Sequence, residues 1–379
     1  MLGTKVSNSQ GNTPMVQERR FTRAAVEHTE PGDLDVTISS SDFDAGGQVL
    51  AFDVPAYGFA RWITLLVQAS GGAAGLNNAV ARADAPWNLI QSITFKDVNG
   101  GHIFGPVSGY DMFLANKWGG YGYQDNPTAL PTYSQVATSG NFSFSLNIPL
   151  EAIARDALGA LPNRNSASTY RVELVLASDA VVYSTSPDTL PSIRIRAELN
   201  AWSKPSPTDP LGNPQRTAPP FDRTTQFWSK AQFAVSGAGT ITHKLPKVGN
   251  FIRTLIFVFR DATGVREGDT FSDSVLISLD GQTLFSEPTL LRRAKMANQY
   301  GYTIAGMDNG DFDEGVLVYP FSHDFDGKPG NELRDLWLPT TQATRLEIQL
   351  THGEAGTLEV LTNDIAIASS APVAAGNEG

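Results

Sequence analysis

The stretch from Ser92 to Gly119 occurs twice in this chain, and that repetition limits what the chain can fold into. The first copy reads S-I-T-F-K-D-V-N-G-G-H-I-F-G-P and runs on to A-N-K-W-G at Ala115–Gly119. The second reads S-V-L-I-S-L-D-G-Q-T-L-F-S-E-P from Ser274 and reaches A-N-Q-Y-G at Ala297–Gly301. Asn99-Gly100 matches Asp280-Gly281, and Phe104 matches Phe285, at an offset of 181. Pro106 matches Pro288, and Ala115-Asn116 matches Ala297-Asn298, at 182. The unit is physically sensible. A half-buried strand ends at Asn-Gly or Asp-Gly, a pair suited to the positive φ of a tight hairpin turn. A second short strand stops near a proline, and a segment rich in Leu, Met and Ala is closed by an aromatic residue and a glycine.

Further matches keep the same order. Pro55-x-x-Gly58 precedes the apolar run Trp62–Val67, and Pro246-x-x-Gly249 precedes Thr254–Phe259, an offset of 191. Phe142–Ile148 then Pro149 pairs with Gly315–Tyr319 then Pro320, an offset of 171. Arg171-Val172-Glu173-Leu174 pairs with Arg345-Leu346-Glu347-Ile348 at 174. The offset drifts, as it must when loops differ in length while strands persist. A period near half of 379 residues means two similar domains rather than a solenoid. Units of ~150 residues bury roughly 70% of their unfolded surface, so each half can hold its own core.

Strand patterns dominate both halves. Leu50, Phe52 and Val54 alternate with polar or small residues before Pro55. Arg61–Val67 is nearly continuous in apolar character, as in a strand buried on both faces. Phe142, Phe144, Leu146 and Ile148 give the cleanest period-two signal. Trp87–Val98, Tyr170–Leu176 and Ile193–Leu199 read as strands, as do Ile252–Phe259, Ser274–Leu279, Gly315–Tyr319, Arg345–Leu350 and Thr357–Leu361. Leu150, Ile153, Ala157, Leu158 and Leu161 share one helical face, and Pro162 ends it, which predicts a helical turn or two. About eight short strands per half, with 35 glycines and 23 prolines between them, predict an all-β protein. Its expected form is two consecutive eight-stranded jelly-roll β-sandwiches with a few short helices. The expected divisions are an N-terminal arm at 1–32, a first jelly roll at 33–202, a Pro-rich linker at 203–225, a second jelly roll at 226–368 and a flexible tail at 369–379.

The arm differs from the body in charge. The chain carries a net charge of −11, yet Met1–Ala25 holds Lys5, Arg19, Arg20 and Arg23 against one acid, Glu18. Thr13-Pro14 can open a short helix running through Arg19, Arg20, Phe21 and Arg23, with threonine as cap and proline at the first helical position. A basic arm on an acidic protein suits an anionic membrane surface or a neighbouring subunit, beside the plainer reading of a solvated terminus. The bulk charge argues against non-specific nucleic-acid binding, which rests on Lys and Arg neutralising phosphates. The absence of cysteine removes disulfides, thiolate metal sites and a cysteine nucleophile. No run of ~18 apolar residues offers a membrane-crossing helix.

Candidate chemistry is thin. Asp308–Glu314 is the densest acidic cluster, and His323-Asp324-Phe325-Asp326-Gly327 a second oxygen-rich loop. Both lack the full ligand pattern of a twelve-residue calcium loop and read as solvated loops, so no metal is expected. His28, His102, His243, His323 and His352 show no zinc-helix spacing. Gly119-Gly120-Tyr121-Gly122 is not followed by a helix pattern, so phosphate binding is not expected there. No nucleophile elbow or Walker loop occurs. Trp87, Trp118, Trp202, Trp228 and Trp337 could stack on sugars, but such residues more often anchor cores and interfaces. Trp118 falls at Tyr300 in the repeat, which points to shared scaffold rather than to a catalytic site. No enzyme and no cofactor is expected.

Two collinear jelly rolls, a basic arm and a Pro-rich connector together resemble the double jelly-roll major capsid proteins of membrane-containing icosahedral phages, the tectivirus-like lineage. The resemblance is carried by Leu50–Val67, by Pro86-Trp-Asn-Leu-Ile-Gln-Ser-Ile-Thr-Phe-Lys-Asp with Gly109-Tyr110, and by Leu146-Asn-Ile-Pro-Leu through Ala160-Leu-Pro-Asn to Tyr170-Arg-Val-Glu-Leu. It covers most of Leu34–Trp202 and, more loosely, the second half. It implies a homotrimer with a pseudo-hexagonal outline that tiles an icosahedral shell, with no catalysis. It also implies a virion location after assembly in the host cytoplasm, and an N-terminal arm lying against an internal viral membrane. Neighbouring trimers, penton and minor capsid proteins are the implied partners, without sequence-specific nucleic-acid binding. The competing expectation is a double β-sandwich carbohydrate-binding protein or glycan-processing enzyme, with an aromatic and carboxylate site in one domain.

Overall fold

The computed structural model describes residues 19–119, 127–220, 223–246, 248–266, 271–300, 314–321 and 337–367. The first half opens on α1 (Phe21–Ala24) and continues through β1 (Glu27–Ile38), α2 (Ser40–Ala45), β2 (Val49–Asp53), β3 (Phe59–Ser70), β4 (Val80–Ala81), β5 (Ile90–Lys96) and β6 (His102–Val107). It then runs through α3 (Gly109–Gly119), β7 (Phe142–Pro149), β8 (Leu161–Pro162), β9 (Arg171–Leu176), α4 (Asp179–Val182), β10 (Tyr183–Thr185) and β11 (Ser192–Trp202). The second half holds β12 (Arg223–Val235), β13 (Gly239–Lys244), β14 (Phe251–Asp261), β15 (Phe271–Leu279), β16 (Gln282–Glu287), α5 (Thr289–Tyr300), β17 (Val316–Pro320), β18 (Leu338–Pro339), β19 (Leu346–His352) and β20 (Gly356–Ile367).

The strands form two jelly rolls of identical order. In the first, the sheet β1-β11-β3-β7 faces the strands β2-β9-β5-β6; in the second, β12-β20-β14-β17 faces β13-β19-β15-β16. Each of the eight principal strands of one half therefore has a counterpart in the other, from β1 with β12 to β11 with β20, while the small β4-β10 sheet belongs to the first half alone. The short pairings repeat as well. β8 pairs with the start of β3 through Phe59↔Pro162, and β18 with the start of β14 through Phe251↔Pro339. α3 and α5 sit at the same point of the order, each between the fifth and sixth principal strands.

A bulge shows how closely the halves agree. Between β3 and β11 the register skips Arg61, leaving Trp62 opposite Asn200 and Ala60 opposite Ala201. Between β14 and β20 it skips Arg253, leaving Thr254 opposite Asn363 and Ile252 opposite Asp364. One arginine is thus ejected from the ladder at the same place in each half, and both side chains are buried.

The halves also share a sheet. β12 pairs with β6 in parallel through Trp228↔Phe104, so the second sheet of the first jelly roll continues into the first sheet of the second. Phe104 and Trp228 are each 1% exposed, and one hydrophobic cluster runs through both halves. Burying side chains of this size supplies roughly 1.5–3 kcal/mol each.

Three local expectations change. Residues 150–161 form no helix. Ile153 and Leu158 instead exchange backbone hydrogen bonds at 3.3 and 3.1 Å, and Ala157 sits at φ 62. Their apolar spacing reflects a tight turn folded into the core, where Leu150, Ile153, Ala157, Leu158 and Leu161 are all buried. β3 is buried on one face only. Trp62, Thr64 and Leu66 are half-buried, because the outer face carries a polar ladder in which Thr64 bonds Asn147 at 2.9 Å and Asn200 at 3.3 Å. Its counterpart β14 is the strand buried on both faces, from Ile252 to Phe259.

The matched turns also differ. Asp280 and Gly281 have φ 49 and 85 and make a two-residue turn with Leu279 opposite Gln282. At Asn99-Gly100 only Gly100 has positive φ, at 85. The connection there runs from Asp97 to Gly101, held by Gly100 N donating to Asp97 O at 3.0 Å and Asp97 N donating to Gly101 O at 2.8 Å.

Candidate assembly interface

The basic arm is anchored rather than loose where it is described. Arg20 precedes α1, which spans a single turn from Phe21, not the longer helix expected from Thr13-Pro14. Thr13, Pro14 and Lys5 lie outside the described residues. Phe21 is 2% exposed and packs edge to face on Phe59 at 5.3 Å and Trp202 at 6.3 Å. Arg19 is tied to the proline-rich connector: its N–H donates to Pro214 O at 3.1 Å, and Arg216 N donates to Arg19 O at 3.0 Å. The side chains of Arg19, Arg20 and Arg23 remain exposed.

The fold brings three further exposed arginines to the arm. Thr22 Oγ1 donates to Arg155 O at 3.1 Å, Arg164 lies over the Phe59 ring at 5.8 Å, and Arg216 is paired through its backbone as above. The sequence signal identified only the first three, because the others lie more than 130 residues downstream.

Beneath this surface Arg61 is clasped. It meets Glu151 through two contacts at 3.0 and 3.2 Å, lies over the rings of Trp62 and Trp202 at 4.2 and 4.0 Å, and bridges Glu27 at 2.9 Å. Trp202 Nε1 donates to Glu151 at 2.6 Å. Burial raises the Glu151 pKa against the pull of Arg61.

The junction between the halves is ionic as well as apolar. Asp111, fully buried on α3, receives Lys230 from β12 at 2.7 Å. Lys230 also faces Glu359 at 3.5 Å, and Glu359 binds Arg260 at 2.9 Å. Arg260 and Arg266 both reach across to Asp84 of the first half, at 2.7 and 2.5 Å. Both guanidinium groups also lie over the Tyr110 ring, at 5.8 and 4.6 Å. Burial works against the charge of Lys230, but Asp111 and Glu359 outweigh it and hold its pKa up. Burial likewise opposes ionised Glu359, but Arg260 and Lys230 prevail and hold its pKa down.

The other sequence candidates do not assemble a site. Asp308–Asp313 and His323–Gly327 lie outside the described residues; Glu314 offers its carbonyl to Arg266 at 2.7 Å. Among the described residues no group of three or more His, Asp or Glu side chains could hold a metal. Trp87, Trp118, Trp202, Trp228 and Trp337 are 7% exposed or less and form core and junction, not a stacking platform. His243 and His352 meet in the second core with their Nε2 atoms 3.1 Å apart.

Neither the family models nor the curated proteins match this chain. Solved structures do. The major capsid protein of Sulfolobus turreted icosahedral virus is similar with a TM-score of 0.64 and 13% identity, covering 93% of this chain and all of that one. The major capsid protein P2 from bacteriophage PM2 gives 0.53 and 10%, over 91% and 99% of the two chains. The PBCV-1 virus capsid gives 0.53 and 11%, over 90% and 93%. At such identities the likeness speaks for architecture, and the architecture of this chain is that of the double jelly-roll major capsid proteins.

Proposed function

We propose that this chain is a viral major capsid protein whose trimers, pseudo-hexagonal in outline, tile an icosahedral shell over an internal membrane. The observation that carries the reading is the junction. Two sandwiches of identical order are locked side by side by a continuous sheet and a buried ion network, so one chain presents two matched lobes. Three such chains give six lobes from a threefold object. In this reading the lobes are 33–202 and 226–368, the connector 203–225 ties them, and the arm 1–32 lies on the inner side with Lys5, Arg19, Arg20 and Arg23 toward anionic lipid.

Light scattering after size exclusion at neutral pH tests the reading. A trimer has a mass of about 122 kDa, three times the 40.7 kDa chain. A stable trimer that also yields hexagonal particles by negative stain supports a shell component, and a clean 40.7 kDa monomer removes it. No observation favours the carbohydrate-binding alternative: Trp87, Trp118, Trp202, Trp228 and Trp337, the tryptophans named for its aromatic platform, are buried.

A further inference from the structure

The proline-rich connector folds into a short braced hairpin with a leucine at its tip. Thr208 and Pro214 bridge in antiparallel sense, Asp209 N donates to Asn213 O at 3.0 Å, and Gly212 N donates to Asp209 O at 2.9 Å. Gly212 takes the positive φ, 81, that the turn requires. Asp209 Oδ1 accepts from the N–H groups of Leu211 and Asn213 at 2.9 and 2.8 Å, and its Oδ2 accepts from Asn213 Nδ2 at 3.0 Å. Gln215 closes the root: its N donates to Pro207 O at 2.9 Å and its Nε2 to Ser206 O at 2.8 Å. Leu211 is 85% exposed at the tip.

The hairpin belongs to the cationic face of the molecule. Its second limb is bonded to the arm on both sides of Gln215, through Arg19 N to Pro214 O and Arg216 N to Arg19 O. Exposed Lys204 and Arg216 bracket it in sequence, and the arm beside it continues into exposed Arg20. Asp209 is the only acid between Lys204 and Arg216, and both its oxygens are engaged within the turn. A second large exposed leucine, Leu76, lies at the other end of the first lobe. It follows the far end of β3, a strand that starts at Phe59 under the arm and reaches Ser70 roughly 35 Å away.

We propose that the 207–215 hairpin inserts Leu211 into the interfacial layer of an anionic bilayer, as an apolar anchor set among the basic residues that attract the surface. The inference deepens the lipid part of the proposed function and rests on it. A single apolar side chain protruding among cations suits the headgroup boundary, where the leucine leaves water while the bases stay at the phosphates. A protein partner would instead need a broad complementary patch of about 800 Å² on each side. The internal hydrogen bonds of the hairpin hold the tip in place before contact, so little ordering is needed on binding. The two contributions respond differently to salt: the attraction of the bases is screened, and the burial of the leucine is not.

The chain has no cysteine, so Leu211→Cys gives a unique attachment point for an environment-sensitive nitrobenzoxadiazole label on the full protein. With vesicles of phosphatidylserine and phosphatidylcholine, the label is expected to shift to the blue, gain several-fold in intensity and be quenched by lipids spin-labelled near the headgroup. The same label at Leu76→Cys is expected to stay in water. Leu211→Ser is expected to weaken binding to these vesicles by about tenfold. That ratio should hold as salt rises, whereas the ratio for the arm arginines shrinks. If wild type does not bind anionic vesicles, the lipid reading and the insertion fall together. If wild type binds but the label at position 211 stays in water, or Leu211→Ser binds as well as wild type, the insertion alone is overturned. A blue shift that needs no lipid and follows protein concentration would assign Leu211 to a subunit contact and overturn the proposal as well.

Discussion

The rings of Trp118 and Tyr300 meet edge to face, with centroids 4.8 Å apart and planes at 89°. They close α3 and α5, occupy the same place in the two halves, and are 1% and 4% exposed. Equivalent residues of a duplicated domain thus touch each other across the junction. That arrangement predicts a measurable coupling. Trp118→Ala should cost about 3–5 kcal/mol of stability by opening a cavity. Tyr300→Leu should cost less. A double-mutant cycle in denaturant should give a coupling of about 0.5–1.5 kcal/mol for the ring pair. Strict additivity would mean that the two rings are independent packing.

Lys230 is the keystone of the ionic junction, and removing it should be worse than removing the pair. Lys230→Met takes from buried Asp111 its ion-pair partner, and breaking a buried pair this way costs about 3–5 kcal/mol. Lys230→Met with Asp111→Leu should recover most of that loss. Urea unfolding followed by tryptophan fluorescence reads both. Equal losses for the single and the double variant would show that the pair contributes no more than packing.

Much of this architecture is legible in the sequence. Alternation marked β7 and β11 because each has one face in a core, as Ile193, Ile195 and Leu199 do while Arg194 and Glu198 point outward. The turn residues and the repeat located equivalent strands. The junction was not legible. Asp111 and Lys230 are 119 residues apart in sequence, and Asp84 and Arg266 are 182 apart, so no local pattern announces them. Arg61 and Arg253 carried a weak trace, an arginine near the start of each apolar run, but its meaning depends on a bulge that only strand pairing reveals. The segment 150–161 carries a helical signal although it forms a turn, because a buried turn and an amphipathic helix both place apolar residues at irregular three- and four-residue spacings.

The histidine pair in the second core predicts an acid-sensitive limb. Burial lowers the pKa of His243, and burial together with His243 pushes His352 down to about 4. A group whose folded pKa lies below its unfolded value binds fewer protons in the folded state. Stability should therefore fall as pH drops from the ordinary histidine value near 6.5 toward 4. Replacing His352 with Phe, beside the stacked Phe259, should flatten that limb of the melting-temperature profile. An unchanged slope between pH 6.5 and 4 would remove the pair as its cause.

The exposed arginines of the arm give the last prediction, because they can be changed without disturbing its anchor. Phe21 holds α1 through Phe59 and Trp202, while the side chains of Arg19, Arg20 and Arg23 are exposed, Arg19 joining the connector through its backbone and through its charge, which adds to the Asn213 hydrogen bonds in lowering the Asp209 pKa. Each basic residue near an anionic leaflet contributes about 1 kcal/mol, so changing all three to Ser should weaken binding to phosphatidylserine-containing vesicles by roughly a hundredfold. The effect should shrink as salt rises, since the Debye length falls to ~3 Å at 1 M. Arg155, Arg164 and Arg216 share the surface, so Arg155→Ser and Arg164→Ser should add to the loss. Co-sedimentation with anionic and with neutral vesicles separates the cases. Undiminished binding of the triple variant to anionic vesicles, or equal binding of wild type to neutral ones, would sink the assignment of this face to lipid.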